Sequence, residues 1–89
     1  MLTVTDAARR YLTRLVQAKS TRDKTIRLVL SGSKFQIALD KARPDDITIT
    51  HEGNTVLVFD EKVSIRLEGH RLDVEGVADS KRLALSKPQ

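Results

Sequence analysis

A short turn between two segments of alternating apolar residues is the position at which this sequence could present a reactive side chain. The run LVLSGSKFQIALD, residues 28–40, bends at Ser31, Gly32 and Ser33. A serine nucleophile at Ser33 would need a histidine that is oriented by an acid, and the G-x-S-x-G turn that presents such a serine in many hydrolases is absent. We therefore predict that this chain is not an enzyme and has no catalytic residue. The corner is better explained as a hairpin turn in which Gly32 adopts a positive φ.

Two histidines are the second candidates for chemistry. His51 and His70 are distant in sequence, and each lies close to a turn glycine. Together with carboxylates such as Glu52, Asp73 or Glu75, they could offer nitrogen and oxygen ligands to a metal ion. The alternative, which we favour, is that both histidines are solvated turn residues. We therefore predict neither a metal site nor a cofactor.

The composition closes off several kinds of chemistry. The chain has no cysteine, which excludes a disulfide, a thiolate metal site and a cysteine nucleophile. Its four glycines are scattered singly, so there is no glycine-rich loop to cradle a phosphate. The acidic pairs Asp45-Asp46 and Asp60-Glu61 are each adjacent in sequence, and adjacent residues on a strand point to opposite faces. We interpret them as turn or cap residues rather than as acid-base pairs.

Basic residues form the one strong charge cluster. The first 43 residues contain ten Lys/Arg and three acids, residues 44–79 contain three and nine, and the last ten contain three and none. The cluster consists of Arg9, Arg10, Arg14, Lys19, Arg22, Lys24 and Arg27. It is either a solvated face or a docking site for an acidic protein or a phosphate backbone. Nucleic acid is the less favoured partner, because only three aromatic side chains are available for base stacking.

Length and hydropathy limit the architecture. Eighty-nine residues suffice for a single small domain, which we place at 1–89. No apolar run reaches the roughly 18 residues that span a membrane, and no secretory signal is present, so we expect a cytoplasmic protein with no membrane partner. The Arg- and Thr-rich N-terminal segment also fits a transit peptide or a membrane-surface helix. We disfavour both, because removing this segment would take away a large part of a small core.

Hydrophobic periodicity predicts the elements that hold these residues. Apolar residues recur at helical spacing up to Val16, which predicts an amphipathic helix starting near Thr5 or Asp6. Alternating runs predict strands at 25–31, 34–40, 47–50, 55–60, 71–76 and 82–86, with 55–60 central in the sheet. The segment 61–69 also alternates as a strand would, but Asp60 as a cap and Glu61 in the first turn favour a short second helix that begins at Asp60 and ends at Gly69. This order predicts an α+β fold, an antiparallel β sandwich or barrel-like sheet with these two helices.

The order of elements, and the residues that carry it, resemble the HesB-like domain of the A-type iron-sulfur cluster carriers, IscA and its relatives. LTVTDAARRYLTRLV is similar to the family's first helix, and IRLVLSGSKFQIALD is similar to its two strands around an SGC(S)G loop. PDDITITHEGNTVLVFDEKVSIRLEGHRLDVE resembles the long central stretch, and RLALSKPQ resembles the tail with its NP turn. Each motif is weak by itself, but together they span essentially the whole chain and imply the HesB-like fold.

The resemblance also shows what is missing. The family holds its cluster with three cysteines, one in the loop and two in a Cys-Gly-Cys tail. Ser33 stands at the position of the loop cysteine, and the sequence ends at Gln89, before the place of the paired cysteines. Serine is a poor substitute, because its hydroxyl holds its proton far more tightly than a thiol does. We therefore expect a divergent relative that does not ligate a cluster.

Two functions from different classes follow. The first is a non-catalytic accessory or interaction module in iron-sulfur cluster assembly, which binds assembly or cluster proteins and could act as a homo-oligomer such as a homodimer, or as a heterodimer. Its candidate binding residues are those of the former ligand loop, Ser31, Gly32 and Ser33. The alternative is a nucleic-acid or acidic-partner binder. Its candidate binding residues belong to the basic patch, Arg9, Arg10, Arg14 and Arg22.

Overall fold

The structure, a computed structural model, describes residues 1–19, 24–32, 34–77 and 80–87. Two of the predicted binding residues, Arg22 and Ser33, lie outside the described residues. The chain order is β1 (Thr3–Val4), α1 (Asp6–Lys19), β2 (Thr25–Ser31), β3 (Lys34–Asp40), β4 (Ile47–His51), β5 (Asn54–Phe59), α2 (Glu61–Arg66), β6 (Arg71–Glu75) and β7 (Arg82–Ser86). The predicted α+β class and the two predicted helices are confirmed.

The larger sheet has four strands in the order β3-β2-β5-β4. β2 and β3 form the predicted hairpin, paired from Thr25 and Asp40 to Ser31 and Lys34 without a bulge. β5 lies in the interior of the sheet, as predicted. It pairs in parallel with β2, however, whereas we expected antiparallel strands throughout. Alternation of apolar residues indicates which side of a strand faces the core but not the direction in which the strand runs.

The smaller sheet has three strands in the order β1-β6-β7. β1 is a two-residue strand that the sequence did not indicate, because two residues are too few to show a period. It pairs in parallel with β6: the backbone N–H of Thr3 donates to the carbonyl of His70 over 2.9 Å, and the N–H of Thr5, just after β1, donates to the carbonyl of Leu72 over 3.0 Å. Both sheets are therefore mixed, and within the described ranges they do not close into a barrel.

Helix α1 and both sheets enclose one core. The predicted apolar face of the helix is confirmed, because Ala8 and Leu12 are buried and Tyr11 is half-buried. The other buried residues of this core belong to both sheets, to α2 and to the segment around β1. Its buried residues are Leu2, Val4, Ala8, Leu12, Ile26, Leu28, Ile49, Val56, Leu57, Phe59, Val63, Leu67 and Leu72.

The hydroxyl of Thr5 fixes the start of α1. It accepts the backbone N–H of Ala8 over 3.1 Å and donates to the carboxylate of Asp73 on β6 over 2.7 Å. This hydrogen bond lowers the pKa of Asp73, and the N–H of Val74 contributes further to the lowering. A helix cap and a strand of the smaller sheet are thus joined through one side chain.

Helix α2 begins where it was predicted to begin. The side chain of Asp60 accepts the backbone N–H of Val63 over 2.9 Å and so satisfies a free donor of the first turn. Val63 and the cap residue Leu67 are buried, which attaches this short helix to the core. Its last residue, Arg66, is exposed and points toward the hairpin corner, where the candidate site lies.

Candidate functional site

The described part of the hairpin corner, Ser31 and Gly32, is contacted by the end of α2. Ser31 and Gly32 are both exposed, and Gly32 has a φ of 63°, the left-handed value that the turn was predicted to need. The guanidinium of Arg66 donates from Nη2 to the carbonyl oxygen of Gly32 over 2.9 Å. The corner is therefore a turn braced by an arginine, which the sequence could not indicate because the two residues are 34 positions apart.

A surface pocket of about 520 Å³ opens beside this corner. Its polar side chains are basic or neutral and come from β3, α2, the loop before β6 and the residue after β7. The pocket is lined by Gly32, Lys34, Arg66, His70 and Lys87 together with apolar Leu30, Phe35, Leu67 and Leu85. No carboxylate stands among these described lining residues. An anionic group is the kind of ligand that such a lining favours.

The basic patch divides into residues with different roles. Arg9 is half-buried, and its guanidinium donates to the carbonyl oxygens of Thr50 and Val4, so it ties α1 to the ends of β4 and β1. Arg10 and Arg14 are exposed, as predicted. The structure thus places two of the four predicted basic residues on an open surface and gives Arg9 a structural role.

Lys81 completes the basic surface of α1. It lies with Arg10, Arg14 and Tyr11 around a shallow depression whose floor includes Val74 of β6. The sequence places Lys81 next to β7, but nothing in a periodicity pattern indicates that this residue lies beside α1. We call Arg10, Arg14 and Lys81 the helix basic surface.

Arg27 contradicts the interpretation of the basic cluster as a solvated face. Only 8% of its side chain is exposed, and the side chain of Asp46 is 1% exposed. Arg27 Nη1 lies 3.0 Å from Asp46 Oδ1, and Nη2 lies 2.6 Å from Oδ2, so the pair is bidentate. Nε donates to Asp40 Oδ2 over 3.0 Å, and Nη2 also donates to the carbonyl of Lys41 over 3.0 Å.

The hydrogen bonds around Arg27 shift the pKa values of Arg27, Asp46 and Asp40. The hydrogen bond to Asp46 raises the pKa of Arg27, and the same bond lowers the pKa of Asp46. The pKa of Asp40 is lowered first by the backbone N–H of Lys41 and then by Arg27. The pair fastens the turn after β3 to β2. Asp46 was predicted only as a turn residue, and its partner could not be identified without the fold.

The two histidines do not form the metal site weighed above. His51 lies at the end of β4, 3.8 Å from the carboxylate of Glu52, whereas His70 lines the corner pocket. Two of the candidate carboxylates are otherwise engaged, since Asp73 accepts a hydroxyl and Glu75 pairs with an arginine of β7. Over the part of the chain that is described, no group of three His, Asp or Glu residues could hold a metal ion.

Comparison with known proteins identifies the fold. No family model matches the chain, and no curated protein matches it. Among solved structures, Escherichia coli SufA, involved in the biosynthesis of iron-sulfur clusters, aligns with a TM-score of 0.70 at 21% identity over 97% of this chain and 84% of SufA. IscA with a [2Fe-2S] cluster aligns with a TM-score of 0.61 at 21% identity over 99% of this chain and 86% of IscA. The predicted HesB/IscA-like fold is therefore confirmed.

No helix within the described ranges is long and apolar enough to cross a membrane.

Proposed function

We propose that this chain is a non-catalytic, cytoplasmic protein of one domain, residues 1–89, that serves iron-sulfur cluster assembly by binding other proteins and does not itself ligate a cluster. The observation that carries this proposal is the absence of cysteine from a chain that shares its fold with SufA and IscA. Thiolates are the usual ligands of iron-sulfur clusters, and a serine hydroxyl is a poor substitute because it holds its proton far more tightly than a thiol does.

The lining of the corner pocket supports a role in binding another protein beside the hairpin corner. Lys34, Arg66 and Lys87 surround it with positive charge, and its apolar residues provide surface that a partner side chain can cover. An acidic segment of an assembly protein or of a cluster-bearing protein matches this lining. Arg66 is central to the proposed contact, because it both lines the pocket and braces the corner through Gly32.

An affinity pull-down from the native cell extract tests this proposal. The tagged chain is used as bait with and without nuclease, the partners are identified by mass spectrometry, and the purified bait is assayed for iron and sulfide. We expect an iron-free bait that recovers assembly or cluster proteins after nuclease treatment. Arg66→Glu should reduce this recovery, whereas Lys62→Glu makes the same charge change on an exposed residue of α2 outside the corner pocket and should not.

Two results would contradict the proposal. One is stoichiometric iron and sulfide in the bait, since this would show that the chain ligates a cluster without thiolates. The other is a set of recovered proteins that contains no assembly or cluster protein. Equal recovery with Arg66→Glu and Lys62→Glu would move the contact away from the corner pocket.

A second candidate function is specifically favoured by the helix basic surface. Arg10 and Arg14 of α1 and Lys81, just before β7, line one depression, which has no acid among its described lining residues. Such a surface can bind a phosphate backbone or an acidic protein, with an affinity that falls steeply with salt. Replacement of Arg10 and Arg14 by Glu should then abolish binding to a nucleic-acid duplex in a salt titration, with Lys62→Glu as the control. Recovery of partners that disappears with nuclease would favour this function over the first.

A further inference from the structure

Strand β3 is an open edge of the four-stranded sheet. Its inner side pairs with β2 along all seven residues, and no strand of the described chain pairs with its outer side. Natural edge strands are usually protected from pairing by a proline, a bulge or a charge in the middle of the strand. β3 has none of these. Its only charged residues are Lys34 at the start and Asp40 at the end.

The core-facing side of β3 is left partly uncovered. Ile37 and Leu39 lie opposite Leu28 and Ile26 of β2 and therefore share their face of the sheet. Yet Ile37 is 40% exposed and Leu39 is 42% exposed, whereas Leu28 is 1% and Ile26 is 4% exposed. A groove of about 230 Å³ runs beside these two residues and is bordered by Leu15 of α1. The apolar core thus continues to the sheet edge, where the described chain covers it only in part.

The order of residues along β3 makes this edge complementary to itself. In an antiparallel pair of two identical strands centred on Ile37, Ile37 would face its own copy and Phe35 would face Leu39. Gln36 would then face Ala38, and Lys34 would face Asp40 at both ends. Apolar residues meet apolar residues, and opposite charges meet opposite charges. Directly opposite residues must lie on one face of the sheet, so the nearest alternative pairings are centred on Gln36 or Ala38. Neither alternative brings Lys34 opposite Asp40.

We infer that the occupant of this edge is a second copy of the chain, paired antiparallel through β3 with Ile37 on the two-fold axis. The two four-stranded sheets then form one continuous sheet of eight strands, in which Ile37 packs against Ile37 of the second copy and Leu39 packs against its Phe35. The interface is isologous, so each contact occurs twice. This inference does not depend on the function proposed above.

Engineered cysteines test the pairing register directly, because the chain has no cysteine of its own. Three single variants are compared: Gln36→Cys, Ile37→Cys and Ala38→Cys. Opposed residues of an antiparallel pair have Cα atoms about 4.5 to 5.5 Å apart, which suits a disulfide, whereas a two-residue offset places them beyond the roughly 7 Å limit. Mild oxidation of dilute protein should therefore give a covalent dimer with Ile37→Cys and little or none with the other two, as judged by a non-reducing gel.

A charge reversal provides an independent measurement on a variant expected to fold. Lys34 is exposed at the end of β3, so Lys34→Glu would replace two attractive contacts with two repulsive ones. Sedimentation velocity over a concentration series should show that the wild-type protein dimerises and that Lys34→Glu weakens the dimer about tenfold. The control Lys62→Glu makes the same charge change on α2 and should leave dimerisation unchanged.

The outcomes separate this arrangement from its rivals. Equal crosslinking of all three cysteine variants would show random collision, and preferential crosslinking of Gln36→Cys or Ala38→Cys would show another register. A wild-type protein that remains monomeric at millimolar concentration, or a dimer indifferent to Lys34→Glu, would also overturn the inference.

Discussion

Replacement of Asp46 by alanine removes the main partner of a buried arginine. With 8% of its side chain exposed, Arg27 keeps its charge near Asp46, whose side chain is 1% exposed. Breaking a buried ion pair by deleting one partner costs about 3 to 5 kcal/mol. We expect a loss of about 3 kcal/mol, at the lower end of that range, because Arg27 retains its bonds to Asp40 and to the carbonyl of Lys41. An 89-residue domain is stable by only about 5 to 13 kcal/mol, so this is a large fraction.

Urea denaturation followed by circular dichroism measures this loss. For an m value of about 1 to 1.5 kcal/mol per M, the midpoint for Asp46→Ala should fall by about 2 to 3 M. Asp45→Ala is the matched control, since Asp45 is the exposed neighbour. Its free energy of unfolding should change by less than about 0.5 kcal/mol. Equal midpoints for the two variants would refute the argument that the Arg27–Asp46 pair holds the turn after β3 to the sheet.

Three further predictions concern pH, the helix cap and a glycine. Because the folded pKa of Asp46 is lowered, its stabilisation is complete above the unfolded value near 3.9 and is lost as the pH falls through the lower folded value. The stability gap between wild type and Asp46→Ala should therefore be constant from about pH 5 to 8 and shrink below about pH 4 in urea titrations. Thr5→Val should cost about 1 kcal/mol through the lost cap, and NMR titration should show a higher pKa for Asp73, whose carboxylate loses the Thr5 hydroxyl. Gly76→Ala should cost about 2 to 3 kcal/mol in the same denaturation assay, because its φ is +93° and a Cβ would lie 2.4 Å from the carbonyl oxygen of Ser80. Gly53→Ala, at φ +83° with no atom within 4 Å, should cost only about 1 kcal/mol, and equal losses for the two would contradict the steric argument.

Local patterns predicted the elements but not their arrangement. The apolar face of α1, the hairpin at Gly32 and the cap at Asp60 each depend on residues close in sequence, and all three are confirmed. The parallel pairing of β2 with β5 and the existence of β1 depend on distant segments, which alternation does not encode. Secondary structure was therefore predictable to the extent that it is local.

The candidate site was predictable only in part for the same reason. The resemblance indicated the corner, and Lys34 adjoins it in sequence, but Arg66 and Lys87 come from elements predicted without a position in space. Charge counting treated Arg9, Arg10, Arg14 and Arg27 as one cluster. Burial then separated them, because Arg9 and Arg27 bond to the protein itself while Arg10 and Arg14 remain at the surface.

The parallel pairing of β1 with β6 bears on how this chain folds during synthesis. The Thr5 hydroxyl donates a hydrogen bond to a residue 68 positions further along the chain. Strand β1 likewise cannot pair until β6 has been synthesised. Contacts this distant form slowly, because a long loop has to close before they contribute. A nascent chain can form the β2–β3 hairpin early, but the Thr5 hydroxyl at the start of α1 cannot bond to Asp73 until β6 has emerged. We expect the first turn of α1 to acquire protection from amide hydrogen exchange late, together with the smaller sheet.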